Sequence, residues 1–260
     1  MNYKLCLLYF LIIYCVIVIC FFLSLYFFIK HSDIKTIHMI NKLFDSCNQP
    51  AVFNPSDFEW THDFRANWKI ILEEFRNYQL QYNIPYHNEI NSEISSCDKN
   101  TAWKTLYLRG LNRDTKVAQF FPKTMKLINN SPCTLAYFSI LKPRAKLDRH
   151  IGIYKGVIRY HLGLIIPNDW KNCWIEVNGE KLHWLPGKDL LFDDMFMHSV
   201  ENNTDEERVI LFLDIKRDFN NIILNAINSI LLQFIKSNDI LNETIDNVNK
   251  KSFKGSANAV

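Results

Sequence analysis

The chain has 260 residues, 48% hydrophobic and 22% charged, and its 30 Lys and Arg against 27 Asp and Glu leave a formal net charge of +3. So small a charge excludes a strongly basic nucleic-acid binder, and seven Gly with eight Pro exclude a collagen-like or low-complexity chain. The length fits one domain or two, but the apolar residues are unevenly spread.

Leu5 to Ile29 carries no charge, no Pro and no Gly. As a helix this run spans about 38 Å, more than a bilayer core of about 30 Å. A signal peptide would have a shorter apolar region followed by small residues, whereas this run ends Phe27-Phe28-Ile29-Lys30. An uncleaved anchor over 1–30, crossing a membrane once, is expected. Lys30, Lys35 and Lys42 against the single Lys4 favour a cytosolic carboxy-terminal part. The sequons at Asn129, Asn202 and Asn242 would matter only in a glycosylating lumen. The side, endoplasmic reticulum-type or bacterial inner membrane, stays open. Outside the anchor, Cys47, Cys97, Cys133 and Cys173 form no CxxC pair or metal-finger spacing, which reads as scattered reduced thiols.

Beyond the anchor, residues 31–100 are expected to form a helical and loop segment. The recurrence of Phe64, Trp68, Ile71, Leu72 and Phe75 predicts a helix over Phe64–Tyr78, and polar Asn83–Lys99 reads as a loop. In 101–217 the pattern changes to short apolar runs at Leu135–Leu141, Val157–Ile166, Cys173–Val177, Lys181–Leu185, Asp189–Phe192 and Val209–Ile215. Asn178-Gly179 marks a hairpin, because a type I′ turn needs positive φ at both central residues. So many short strands predict a β-sandwich or small barrel. In 218–260, Phe219–Phe234 predicts an amphipathic helix with Ile222, Ile223, Ala226, Ile227, Ile230, Leu231 and Phe234 on one face, packed on the barrel or lying on the membrane. A frayed tail from Lys250 follows.

Of eight His, four (His150, His161, His183 and His198) fall in the β-rich region. His150 and His198 each stand near a strand end, so they can meet across a barrel mouth and share one metal. Imidazole suits Fe, Zn, Cu or Ni alike. Arg159 and Arg208 sit in apolar strands, where an unpaired guanidinium is costly. They hold either a small dicarboxylate, each Arg forking onto one carboxylate, or internal partners among Asp193, Asp194 and Asp214.

Ser139-Ile-Leu-x-Pro, His150-x-Gly152, Arg159-x-His-Leu-Gly-Leu, Gly187, Phe192-Asp-Asp, His198 and Arg208 follow one another as in the aspartyl/asparaginyl β-hydroxylase family. Arg159 to Asn168, Ile175 to Glu180, Asn203-Thr204 and Asp214-Ile215 look closest to its bacterial lipid A 2-hydroxylase branch. The resemblance runs from about Trp103 to Arg217 and more loosely from Asn41. It implies a mainly β protein: a double-stranded β-helix, jelly-roll or cupin-like, with flanking helices and one N-terminal transmembrane helix. It implies Fe(II) bound by His150 and His198, with Gly152 where other such enzymes have a carboxylate. It also implies 2-oxoglutarate as co-substrate, with Arg208 and Ser139 on its distal carboxylate and Arg159 and His161 on the carboxylate beside the keto group. Trp103 would line the same pocket or simply pack in the core; His183 matches no family site.

The implied reaction consumes dioxygen and 2-oxoglutarate, hydroxylates a C–H bond, and releases succinate and CO2. One branch of the family acts on Asp or Asn side chains of proteins and the other on a lipid acyl chain, and both acceptors stay open. A metal-free, membrane-tethered β-barrel binding module is the reading from a different class.

Overall fold

The structure is a computed structural model that describes residues 3–31, 34–45, 49–90, 102–111 and 113–252. Helix α1 (Tyr3–Lys30) includes Leu7–Lys30, 24 residues of mean hydropathy 2.9 and about 36 Å long, enough by length and composition to cross a membrane. Its large side chains are exposed along most of its length, but Ile29 at its end is buried.

Then come α2 (Ile34–Ile40), β1 (Val52–Phe53), α3 (Thr61–Ala66), α4 (Trp68–Gln79), α5 (His87–Ile90), β2 (Trp103–Gly110), β3 (Arg113–Asp114) and α6 (Pro122–Asn129). The strands β4 (Cys133–Leu141), β5 (Lys146–His150), β6 (Val157–Ile165), β7 (Cys173–Val177), β8 (Glu180–His183), β9 (Asp189–Phe192), β10 (His198–Asn202) and β11 (Arg208–Lys216) form the body of the molecule. Helices α7 (Ile222–Ile235) and α8 (Asp239–Lys251) close the described chain.

The strands form a seven-stranded sheet, β1-β9-β6-β11-β4-β2-β3, and a four-stranded sheet, β5-β10-β7-β8. Taken from β4 to β11, the first, third, sixth and eighth strands lie in the large sheet and the other four in the small one. All pairs are antiparallel. This strand order is that of a double-stranded β-helix, the eight-stranded jelly roll of cupins.

Period-2 alternation in the large sheet separates an apolar outer layer from a polar interior. Phe138 of β4 and Tyr160 of β6 point outward, where Phe75 of α4 (4.7 Å) and Phe64 of α3 (5.7 Å) cover them. Their neighbours point inward: Tyr137 stacks on Phe212 of β11 at 4.1 Å, and Phe212 meets the His161 ring at 4.9 Å. Burial on both faces makes these strands read as continuous apolar runs, with the polar exceptions aimed at one interior. The turn joining β7 to β8 has φ of 51° at Asn178 and 85° at Gly179, as the hairpin signal requires.

Several expectations need correction. The helix expected over Phe64–Tyr78 is two helices broken at Asn67 (φ −106°, ψ 12°), whose side-chain amide donates to the Asp63 carbonyl at 2.8 Å. The expected loop Asn83–Lys99 contains α5, and its part from residue 91 lies outside the described residues, as do Cys47, Cys97 and the tail beyond Ser252. Strands β5 and β10 carry no apolar run, so their sequences Lys-Leu-Asp-Arg-His and His-Ser-Val-Glu-Asn concealed them.

The face assigned to α7 also changes. The helix buries Asn228, Leu231, Leu232 and Ile235 while Ile222 and Ile223 are exposed. Asn228 is drawn inward because its amide donates to the Gly156 carbonyl (2.9 Å) and its Oδ1 accepts from the Tyr154 hydroxyl (2.8 Å). The sequon residue Asn202 is 0% exposed and donates to the Lys142 (2.9 Å) and Glu206 (2.8 Å) carbonyls, so in the folded chain it is no glycosylation acceptor. Cys133 and Cys173 are free, buried thiols.

Candidate active site

The end of β5 and the start of β10 are paired so that His150 and His198 are direct cross-strand partners, and their ring centroids lie 4.1 Å apart. Nδ1 of His150 faces the Asp148 carbonyl at 2.7 Å and Nδ1 of His198 faces the Phe196 carbonyl at 3.0 Å. A carbonyl only accepts, so each Nδ1 carries the proton and each Nε2 holds a lone pair, the tautomer a metal needs. Burial, the neighbouring His150 and the Arg159 charge push His198 down to about 3; burial above all lowers His150. Both rings are therefore neutral at physiological pH. The donor set fits a divalent transition metal.

Among the described residues no group of three or more His, Cys, Asp and Glu side chains assembles around a metal position. Gly152 explains this on its side of the pair. A Cβ placed on Gly152 would run into the Asp194 carboxylate, and the Gly152 amide donates to the Asp194 carbonyl at 2.6 Å. Asp194 thus fills the space that a side chain at position 152 would use. It is buried, Arg159 holds its Oδ2 at 2.7 Å, and its Oδ1 has no hydrogen-bond partner.

The arginines divide cleanly between the two expected fates. Arg159 pairs with Asp194 (2.7 Å) and with its cross-strand neighbour Asp214 (3.2 Å), and lies 4.4 Å over the Phe212 ring. Arg217 is buried against Asp193 at 2.6 Å. Arg208 is 2% exposed, and among the described residues no carboxylate pairs with it. Its Nη1 reaches the Ser139 hydroxyl (3.2 Å) and carbonyl (3.3 Å), its plane lies 4.5 Å over Trp184, and its Nε is unpartnered. Burial lowers this guanidinium to about 10. An uncompensated buried cation of this kind is expensive, and an entering carboxylate removes the cost.

Around Arg208 the remaining polar groups are also incomplete. Trp103 donates its indole N–H to the Ser139 hydroxyl at 2.8 Å, which links it to Arg208 through Ser139. With Arg208 also donating to it, the Ser139 hydroxyl proton is directed elsewhere. The Trp184 indole donates to His161 Nδ1 at 3.3 Å, which places the His161 proton on Nε2, and that atom is buried without a partner. Burial, then Arg208, Arg159 and His198, hold His161 far below its ordinary pKa, so it is a neutral N–H donor. His161 Nε2 and Arg208 Nε are thus buried donors without a partner among the described residues. His183 is half-buried on β8, its ring edge-on to Trp170 at 5.4 Å, away from this group.

Three contributors escaped the sequence reading. Trp184 is a fully buried indole, yet in the sequence it is one apolar residue within the expected strand Lys181–Leu185. Asp194 stood as one of three possible arginine partners and within the Phe192-Asp-Asp motif, with no place of its own at the site. His87 stacks on Trp103 at 3.9 Å behind the pocket and bonds Thr105 at 3.2 Å, and its own helix gives no hint of this. The spacing of Asp194 four residues before His198, opposite a glycine two after His150, is the signal that was available.

The strand order and the polar interior place the chain in the jelly-roll, cupin-like class. Its sequence is more specific: residues 65–218 match the Aspartyl/Asparaginyl beta-hydroxylase family, and the chain belongs to that family. A Rhizobium tropici protein named ornithine lipid ester-linked acyl 2-hydroxylase is 33% identical over 178 residues, covering 67% of this chain and 63% of that protein. The human aspartyl/asparaginyl beta-hydroxylase is 32% identical over 169 residues, covering 60% of this chain and 21% of that protein. The chain thus spans less than two thirds of these relatives' own length. Among solved structures, the cupin domain of Schizosaccharomyces pombe Cnp3 aligns at a TM-score of 0.33 and 11% identity over 52% of this chain and 77% of that one. The fold class rests on the strand order, not on this likeness.

Proposed function

We propose that the protein is a membrane-anchored hydroxylase dependent on Fe(II), 2-oxoglutarate and dioxygen, with α1 as the anchor. The observation that carries the reading is Arg208: the one buried arginine of the barrel interior whose charge no described carboxylate balances, set beside the unpartnered His161 Nε2. A dicarboxylate satisfies both.

In this reading Arg208 and the Ser139 hydroxyl bind the distal carboxylate of 2-oxoglutarate, and the His161 Nε2–H, with Arg159 nearby, takes the carboxylate beside the keto group. His150 and His198 hold Fe(II) through Nε2. When bound, the iron activates dioxygen so that 2-oxoglutarate is oxidised to succinate and CO2 while one oxygen atom enters a substrate C–H bond. The chain orients these groups: the carbonyls of Asp148 and Phe196 fix the two imidazole tautomers. Trp184 holds both Arg208 and His161, and Phe192 and Phe212 wall His161 at 5.0 and 4.9 Å, excluding water. Asp194 brings a negative charge and a free acceptor atom to the side left open by Gly152.

The acceptor is a lipid acyl chain, supported by the Rhizobium relative's name and by the apolar α1. Asp or Asn side chains of a protein are the second reading, which the human relative's name supports. The reconstituted full chain with Fe(II) and 2-oxoglutarate is expected to release succinate, and His198→Ala is expected to abolish it. Undiminished 2-oxoglutarate turnover by that variant would sink the assignment, and binding of 2-oxoglutarate without any turnover would favour a tethered binding module. Paired assays with acyl lipid and with Asp-containing peptide then choose the acceptor.

A further inference from the structure

Helix α7 leaves an apolar stripe uncovered, and the structure shows what it lies beside. Ile222 and Ile223 are 85% and 67% exposed, and Ala226 and Ile230 continue the exposed stripe at helical spacing. No residue of α7 is charged. In water such a stripe is a liability.

Three contacts join this helix and its C-terminal extension to the end of α1. Tyr26 meets Phe234 edge-to-face at 5.8 Å, the Asn238 amide donates to the Ile29 carbonyl at 2.9 Å, and His31 pairs with Asp239 at 2.8 Å. These contacts fix the C-terminal end of α7 at the end of α1, close in sequence to the exposed Phe22, Leu23 and Phe27. The other end of α7 is fixed on the barrel, where Phe219 stacks on Phe44 at 4.6 Å and Arg217 is buried against Asp193.

The same end of the molecule carries the catalytic loops. Asn41, just after α2, donates to the Ile153 carbonyl (3.0 Å) in the loop after His150 and contacts the Met195 sulfur (3.8 Å) in the turn before His198. The chain leaving α1 is thereby bonded to both segments that position the two imidazoles.

We propose that α7 is a second membrane contact: its Ile222, Ile223, Ala226 and Ile230 stripe inserts at the headgroup–acyl boundary of the leaflet that α1 leaves, and holds the His150–His198 end of the barrel against the bilayer. The inference rests on the reading of α1 as a membrane anchor and deepens it, since a barrel seated this way takes an acyl chain from within the membrane. Neutral, apolar and lacking lysine or arginine, the stripe matches the acyl boundary rather than an anionic headgroup layer.

The test uses the full chain reconstituted in phosphatidylcholine vesicles that contain a lipid with a diazirine in its acyl chain. After illumination, adducts are mapped by mass spectrometry. Adducts on both α1 and Ile222–Ile230 are expected, and the double variant Ile222→Asp, Ile223→Asp is expected to lose those on α7 at least tenfold while keeping those on α1. Both positions are exposed, so folding is unaffected, which an unchanged circular dichroism spectrum checks. Adducts confined to α1, or α7 cross-linked to a second copy of the chain, would overturn the proposal while leaving the anchor intact. No adducts on either helix would overturn the anchor reading itself.

Discussion

At the level of single residues the proposed reading turns on Arg208, which differs from the other buried arginines in what balances its charge. Of the arginines in the β-barrel interior, Arg159 and Arg217 are neutralised by Asp194, Asp214 and Asp193 at 2.6 to 3.2 Å, and Arg208 is not. Truncating one partner of a buried charged pair costs about 2–5 kcal/mol. Arg208→Gln is therefore expected to raise the KM for 2-oxoglutarate by about a hundredfold while the iron content stays at the wild-type level. A KM within about threefold of wild type would show that the dicarboxylate binds elsewhere. Both arginines were visible in the sequence as charges within apolar strands, but which one had an internal partner was not. That depends on β6 lying beside β11, so that Arg159 falls directly opposite Asp214.

The elements that carry the histidines were the least legible part of the chain. Strands β4, β6 and β11 announce themselves because burial on both faces demands Val, Ile, Leu and Phe. Strands β5 and β10 belong to the smaller sheet, and their solvent-side residues are charged or polar, so no apolar run marks them. Their ends are held by side chains, Asn202 above all. It donates to the carbonyls of Lys142 and Glu206 and accepts from the Thr204 hydroxyl at 2.7 Å, tying β10 to the loops that enter β5 and β11. Asn202→Ala leaves two buried carbonyls without a donor, and a loss of about 3 kcal/mol in unfolding free energy is expected. A urea midpoint unchanged from wild type would contradict the assigned role.

For the whole molecule, the buried imidazoles set how stability depends on pH. His87 is 1% exposed and burial lowers it to about 4, whereas the same group in the unfolded chain titrates near 6.5. The unfolded state therefore binds the proton first. The contribution of His87 is fully present above about pH 6.5 and is lost as the pH falls toward 4, reaching about 2 kcal/mol at pH 5. The melting temperature of the detergent-solubilised chain is expected to fall between pH 6.5 and 4.5, and His87→Gln is expected to flatten that slope. Identical slopes would mean that other groups govern the acid response.

From the amino-acid order alone came the long apolar N-terminal segment, the β-rich body, the Asn178–Gly179 turn and the family to which the motifs belong. Each is a local property: a run, an alternation, a turn conformation, or residue types in a fixed order. Tertiary structure decided that His150 and His198 face one another and that Gly152 gives its space to the Asp194 carboxylate. It also decided that Arg208 has no carboxylate beside it among the described residues, and that α7 turns Asn228 inward and Ile222 and Ile223 outward. These depend on which strands and helices lie side by side, a long-range choice made by packing and by the need of every buried polar group for a partner.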